Sequence, residues 1–477
     1  MKIERLNLNR RSMLKTITAF GVGSTLGLTA CSKDESISPL QTLKGAIDKD
    51  GNEVIPWTNW SGNQFSTPNE RLVPKNTDEL SSMIKSTKQH IRLVGAGHSF
   101  SALVPTNETQ MSLAYFYGIT NIDKEKKQFD VASNTFLAGV GEELWQNGLS
   151  LENMPDINTQ TFGGAIATST HGTGINYGSM SSTVKKVVLV NGLGEEISCS
   201  ENENTEIFNA ARTNIGTLGA VTNLTIQAQD KHYLKETSWM MDLEEGLAKA
   251  ERLRDEHRHF EMYALPHADY ILGITIDKIE RNQLLSGTVN TGDAYETFKT
   301  MSKVIDTLPY LRSFIVNTGA STVEKEERTG RNYEVLGNLR DMRFNEMEYS
   351  IPAEQGVACL REILATIKKL DIDVIFPMEY RYIKADDIWL SPFYQRDSCA
   401  ISCHNFADKD YKKYFAAIEP IFWKYDGRPH WGKIHTLTAK EQRARYPMFD
   451  QFLNVRKEMD PKKIFTNEHI NSVLGLS

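Results

Sequence analysis

The sequence is poor in cysteine: five in 477 residues, with no Cys-x-x-Cys pair. That excludes a disulfide scaffold and removes the usual structural zinc motif. No run of about 18 apolar residues occurs, so no segment reads as a membrane-spanning helix. A basic block is also lacking. The formal net charge is −7, from 54 Lys and Arg against 61 Asp and Glu. No cationic stripe can offset a phosphate backbone, which argues against nucleic acid as a partner. Internal repeats and low-complexity tracts are missing as well. What remains is globular composition, 40% hydrophobic, 24% charged and 9% aromatic. At roughly 150 residues per domain the chain is long enough for two or three domains.

The charge is unevenly placed. Residues 1–30 carry Lys2, Arg5, Arg10, Arg11 and Lys15 against Glu4 alone. A weakly apolar stretch, Thr16 to Ala30, follows; it is too short to span a bilayer and has the character of a signal-peptide apolar region. Asn9-Arg10-Arg11-Ser12-Met13-Leu14-Lys15 resembles a twin-arginine export signal. Leu28-Thr29-Ala30-Cys31 resembles a bacterial lipobox, which implies lipidation of Cys31. The expectation is export across a bacterial cytoplasmic membrane, with a lipid anchor on the periplasmic or outer-membrane face. That export route carries folded proteins, often with a cofactor already loaded. Residues 31–52 are polar and read as a tether.

Periodicity sketches an α+β chain. Asn76 to Gln89 reads as an amphipathic helix capped by Asn76 or Thr77, with Leu80, Met83 and Ile84 on one face. Strands are expected at Ile91–Val94, Phe129–Ala132, Lys186–Val190 and Val221–Ala228, with a hairpin turn at Asn191-Gly192. After about residue 230 the pattern changes. Helices are expected over Leu243–His257 and Gly356–Leu370, and strands near Tyr270–Thr275, Phe344–Ile351 and Cys399–His404.

Two segments of the N-terminal half carry unusual chemistry. Gly95-Ala96-Gly97-His98-Ser99-Phe100-Ser101 follows a strand, and its glycines let successive N–H groups turn toward a phosphate. It is not a dinucleotide fingerprint, because the third glycine and an opening helix are missing. Alone it is weak evidence, and an ordinary turn is the favoured reading. The second segment, Asp156 to Gly174, holds four glycines and six Ser or Thr residues in nineteen positions. It can bring backbone and hydroxyl donors close to a large polar ligand. Ile157, Phe162, Ile166 and Ala167 would anchor it.

In the C-terminal half, Glu379-Tyr380-Arg381 puts a carboxylate and a guanidinium on one face if the segment is extended. The pair suits a polyol, although from the residues alone an ordinary cross-strand ion pair is the favoured reading. Arg428-Pro429-His430-Trp431-Gly432-Lys433 adds a cation. His430 and His435 are five apart, which is not the spacing of a helical zinc pair, and no metal site is expected.

The two N-terminal segments, together with Phe208-Asn209-Ala210-Ala211-Arg212 and Leu218-Gly219-Ala220-Val221-Thr222, resemble the FAD-binding domain of the vanillyl-alcohol-oxidase-type flavoproteins. Within that group they resemble the aldonolactone and alditol oxidase branch. The resemblance implies a two-subdomain FAD-binding domain plus an α+β substrate, or cap, domain. The corresponding boundaries are 53–230 for the FAD domain, 231–440 for the cap and 441–477 for a C-terminal segment returning to the FAD domain. Asp460-Pro461-Lys462-Lys463-Ile464-Phe465-Thr466-Asn467 belongs to that returning segment.

The resemblance also assigns roles. His98 would be bonded covalently to the 8α-carbon of FAD, and Gly95, Ala96, Gly97, His98, Ser99 and Phe100 would hold the pyrophosphate. Thr161, Gly164, Thr168, Ser169, Thr170 and His171 would line the flavin, and Val221 would touch it through its backbone. Glu379, Arg381 and Lys433 would be catalytic. Arg381 and Lys433 would stabilise the negative charge of reduced flavin, and Glu379 would either take the hydroxyl proton or orient the substrate. Asp156, Glu379, Arg381, His404 and Lys433 would bind substrate. His404 and Asp156 depart from the Thr and Ser of alditol oxidases, so the pocket differs from theirs.

The expected activity is oxidation of a carbinol in a small polyhydroxylated, sugar-derived substrate, an aldonolactone or alditol. Hydride would pass to flavin N5, and O2 would reoxidise it to give H2O2. A dehydrogenase using a quinone or cytochrome is the alternative; Pro155, at the position that controls oxygen access, is compatible with the oxidase. From another class, a non-catalytic glycan-binding surface lipoprotein fits the lipobox but does not need His98 or the Gly163–Gly174 segment.

Overall fold

The computed structural model describes residues 46–47, 53–285, 292–338 and 342–476. The segments expected to be an export signal and a lipidated Cys31, and most of the expected tether, lie outside the described residues. Ala46 and Ile47, within the tether, pair antiparallel with Val54 and Glu53.

A three-stranded and a five-stranded sheet dominate the N-terminal half, beside short two-stranded pairs. Strands Glu70–Leu72, Thr109–Ser112 and Ile91–Val94 lie side by side, all parallel. The crossover from the first to the last of them contains the expected helix, at Thr77–Ser86. Asn76 caps it by accepting from Glu79 N–H, and Leu80 and Ile84 are buried beneath it. The helix stops short of Gln89 because Thr87 is already extended, at φ −64° and ψ 145°.

The second sheet is antiparallel, in the order Glu196–Ser200, Val184–Val190, Ala220–Gln227, Gln128–Ala132, Ile119–Asp123. Its hairpin is longer than the two-residue turn read from Asn191-Gly192. The Asn191 side chain accepts from both Leu193 and Glu195 N–H, and Gly194 takes the positive φ of +72°. An asparagine that bonds its own downstream backbone makes a wider Asx-type turn.

The C-terminal half is built on one antiparallel sheet of eight strands. Its order is Glu326–Arg331, Tyr233–Asp242, Tyr270–Ile279, His259–Ala264, Met378–Ile383, Ser398–Phe406, Phe344–Pro352, Arg428–Pro429. Its central strands are two-faced. Met262, Tyr380, Ile401, Cys403, Met347 and Tyr349 belong to one apolar core with Cys359, Leu360, Ile363 and Ile367 of helix Gly356–Lys369. The helix lies so close that a Cβ at Gly356 would stand 2.3 Å from the Tyr380 hydroxyl. Strand residues alternate between faces, so the residues between these apolar ones point the other way. They are Glu261, Tyr263, Glu379, Arg381, Ser402, His404, Glu346 and Glu348. The fold therefore concentrates charge on one side of a buried sheet.

The chain end returns to the N-terminal half. Ile464 and Phe465 carbonyls accept from Ile91 N–H and the Arg92 guanidinium, and Asn467 Nδ2 donates to the Ala102 and Pro105 carbonyls.

Candidate active site

The two glycine-rich segments meet. A Cβ at Gly95 would lie 2.5 Å from Thr161 Oγ1, so only glycine permits the approach. His98 Nε2 is 2.9 Å from Thr159 Oγ1, and the imidazole lies against Trp60 with ring centroids 5.3 Å apart. Burial, and then the charge of Lys433, lowers the His98 pKa to about 4. The ring is neutral at pH 7.

The turn also fits a phosphate. Gly97 takes φ +71°. Among the described residues, no protein oxygen accepts the N–H of Ala96, Gly97, His98 or Ser99, whereas Phe100 N–H already donates to the Gly432 carbonyl. Four consecutive free N–H groups at a left-handed glycine form an anion-binding concavity. These residues fit the pyrophosphate of FAD.

The second segment is not a loop throughout. Phe162–Ala167 forms a short helix capped by Thr161, whose Oγ1 accepts from Gly164 N–H. Phe162, Ala165 and Ile166 are buried and hold it to the core. Thr170 Oγ1 donates to Gln160 Oε1, and Thr168 Oγ1 lies 3.5 Å from Thr170 Oγ1. Ser169 sits at φ +60° with its hydroxyl turned inward, toward Ser179 and Ser391. Its N–H donates to the Ile166 carbonyl, so the hydroxyl and the N–H of Ser169 are both engaged within the protein. Val221 pairs with Leu189 on one side; on the other, its strand's pairing begins only at Asn223 with Ala132.

Facing these segments is the charged side of the large sheet. Arg381 Nη2 bonds Glu348 Oε2 at 2.5 Å and lies 3.2 Å from Glu379 Oε2. Tyr263 donates to Glu379 Oε1 at 2.9 Å, Ser402 donates to Glu348 Oε2, and His171 Nε2 is 2.9 Å from Glu348 Oε1. Burial alone would raise the Glu348 pKa; His171 and Arg381 outweigh it and hold the carboxyl well below the usual range. Lys433 is held by Glu346 at 2.5 Å, and its ammonium lies 4.8 Å from the centre of the Phe100 ring. It thus links the sheet to the His98 turn. His404 Nε2 is 3.6 Å from Glu346 Oε1, while its Nδ1 bonds the Pro377 carbonyl.

Glu379, Arg381, Lys433, His404 and His171 are therefore brought together. Asp156 stands to one side, its carboxylate 2.6 Å from Asn338 Nδ2, and its charge acts on Glu261 and Glu236.

Residues without metal-ligand spacing in the sequence are nevertheless assembled by folding. His171, Glu348 and His430 converge, as do Glu346, Glu379 and His404, each set with ligand atoms within 4.8 Å of one another. Both sets already contain a carboxylate neutralised by a cation, Arg381 on Glu348 and Lys433 on Glu346. A divalent ion would sit against those cations, so the sets act as hydrogen-bonded networks. Sequence reading also overlooked Trp60, Thr159, Tyr263, Glu346, Glu348 and Ser402. The period-two acids Glu346 and Glu348, inside the fully buried strand Phe344–Pro352, were the available signal.

A backbone cradle for a dinucleotide facing buried cations and carboxylates defines a flavin-dependent oxidoreductase. The D-arabinono-1,4-lactone oxidase family profile matches residues 224–473, and an FAD-binding domain profile matches residues 68–200. The chain is 31% identical over 430 residues to L-gulono-1,4-lactone dehydrogenase of Mycobacterium tuberculosis, covering 88% of this chain and 99% of that one. It is 28% identical to L-gulonolactone oxidase of Mus musculus, covering 89% and 99%. The cholesterol oxidase structure from B. sterolicum superposes with a TM-score of 0.74 at 15% identity, covering 88% and 96%, which is a likeness of fold. The chain belongs to the D-arabinono-1,4-lactone oxidase family, in the aldonolactone and alditol oxidase branch of the vanillyl-alcohol-oxidase-type flavoproteins. It is an FAD-dependent oxidoreductase acting on CH–OH donors. A non-catalytic glycan-binding role is not supported.

Proposed function

We propose that the protein oxidises a carbinol of an aldonolactone, with FAD bonded to His98. The observation that carries this reading is the convergence of the His98 turn, Lys433 and the Arg381–Glu379 pair. FAD, held by His98 and the N–H groups of Ala96 to Ser99, would supply the hydride acceptor for the carbinol carbon, with O2 (giving H2O2), a quinone or a cytochrome as the final electron acceptor. Buried Pro155 supports the oxygen-using form.

Arg381 donates to the substrate hydroxyl while its own charge is balanced by Glu348 and Glu379. Glu379, already accepting from Tyr263, orients the hydroxyl and is the carboxylate placed to accept its proton. Lys433 keeps a positive charge at the turn, where negative charge accumulates on reduction. Thr159 engages His98 Nε2, which leaves Nδ1 as the nitrogen for the 8α bond. Ala96 to Ser99 supply N–H groups to the pyrophosphate, while Gly95, Gly164, Thr161, Thr168, Ser169, Thr170, His171 and Val221 line the cofactor. His404 and Asp156 shape the substrate side.

The division at 53–230, 231–440 and 441–477 belongs to the same reading; the bonds from Ile91, Arg92 and Asn467 to the chain end and back support it. So does an exported, lipid-anchored form through Cys31, supported by the twin-arginine and lipobox patterns.

Acid precipitation of the purified protein tests the covalent bond. The yellow colour is expected in the pellet for wild type and in the supernatant for His98→Ala. Colour in the His98→Ala pellet would contradict it.

A further inference from the structure

Glu261 stands directly across from Arg381, as Tyr263 stands across from Glu379. Directly opposed residues in an antiparallel pair share a face, and the Tyr263–Glu379 bond shows that this face is the charged one. Glu261 differs from the other carboxylates there. Glu379, Glu348 and Glu346 each hold a protein donor. Among the described residues, none donates to the Glu261 carboxyl, which is half-buried. On its other side it faces apolar Ile274.

We infer that Glu261 is a substrate-binding residue whose carboxylic acid donates a hydrogen bond to the carbonyl oxygen of an aldonolactone, while Glu379 and Arg381 hold the carbinol. A neutral carboxyl is one of the few side chains offering both an O–H donor and a carbonyl acceptor. The surroundings keep it neutral. Burial, then the charges of Glu379 and Asp156, push its pKa well above the usual carboxylate range; Glu236 adds to them and Arg381 opposes. An ionised carboxylate in this place would repel a lactone carbonyl. An alditol has no carbonyl to receive the proton, so Glu261 biases the pocket toward lactones. The assignment rests on the oxidation reading above.

The test uses the FAD-loaded protein, with L-gulono-1,4-lactone and sorbitol as probes and an artificial electron acceptor. Glu261→Leu is expected to raise KM for the lactone about tenfold, the loss of one hydrogen bond, with kcat changed less than about threefold and KM for sorbitol little affected. Glu261→Gln, which keeps a neutral donor, is expected to recover most of that loss. Wild type is expected to show a rise in lactone KM on going to alkaline pH, and Glu261→Gln is expected to abolish it. An unchanged lactone-to-sorbitol KM ratio in Glu261→Leu would overturn the assignment, as would Glu261→Gln as impaired as Glu261→Leu. A wild-type flavin that neither compound reduces anaerobically would overturn the oxidation reading itself. Reduced flavin with an indifferent Glu261 would overturn only the present inference. Absorbance of bound FAD and thermal unfolding of each variant separate misfolding from lost binding.

Discussion

The cradle around His98 and the charged face of the large sheet are made of different materials. The cradle uses backbone N–H groups, glycines and hydroxyls, and within Gly95–Ser101 and Thr159–His171 the ionisable side chains are the imidazoles of His98 and His171. The sheet face uses charged side chains from Met378–Ile383, Ser398–Phe406, Phe344–Pro352 and the Arg428–Lys433 segment, each fixed by a neighbour of opposite charge or by a hydrogen bond. A backbone-built site distributes its binding over many small contacts. A charge-built site depends on a few partners, because removing one leaves another buried and unpaired.

The sharpest way to break that contrast is at Arg381. Arg381→Leu takes the guanidinium from Glu348 and Glu379, both buried, and leaves them with His171, Ser402 and Tyr263. A cost of about 3–5 kcal/mol in stability is expected, together with loss of turnover. Thermal unfolding and anaerobic flavin reduction would measure both; an unchanged melting temperature would mean that the face is not held by charge.

Lys433→Met comes next. It removes the cation between the sheet and the His98 turn and releases Glu346. A fall in kcat of about 10²–10³-fold is expected, along with a lower flavin reduction potential, read by spectroelectrochemistry. A changed KM with unchanged kcat and potential would give Lys433 a role in substrate binding alone.

Acid should weaken the folded protein through its buried imidazoles. Burial depresses His430 and His259 to about 3 and His232 to about 4, from an ordinary 6.5. The unfolded chain takes up protons at about 6.5 that the folded chain refuses until about 3–4. This contribution to stability is present above pH 6.5 and is lost as pH falls through that window. Melting temperature measured from pH 8 to pH 4 should be flat and then decline; a rise on acidification would contradict the burial of these rings.

The smallest effect belongs to the cradle. Thr161→Ala removes one helix cap and should cost about 1 kcal/mol, with FAD retained, as judged by absorbance and thermal unfolding. Complete loss of flavin from this single change would make the cradle as dependent on one side chain as the sheet face is.

The same contrast governs what could be read from the sequence. The cradle's parts are contiguous: Gly95 to Ser101 and Thr159 to His171 each announce themselves within a short stretch, and the family resemblance rested on them. The helix at Phe162–Ala167 escaped because its glycines mask a six-residue element whose cap, Thr161, was read only as a ligand contact. On the sheet face, Glu379 and Arg381 were legible because they sit two apart in one strand. Glu346, Glu348, Tyr263 and Ser402 were not, because their neighbours are set by cross-strand register, which one chain does not display before it folds. The two triads of potential metal ligands were invisible for the same reason. The antiparallel strands and the helices Thr77–Ser86, Leu243–Glu256 and Gly356–Lys369 followed from periodicity, with ends shifted where local backbone geometry overrode it.

The most direct test of the whole account is rapid mixing of the FAD-loaded protein with an aldonolactone in the absence of oxygen. The oxidised flavin band is expected to bleach in a single, lactone-saturable phase, slowed by Lys433→Met and abolished by Arg381→Leu. Bound flavin that stays oxidised with aldonolactones and alditols alike would contradict it.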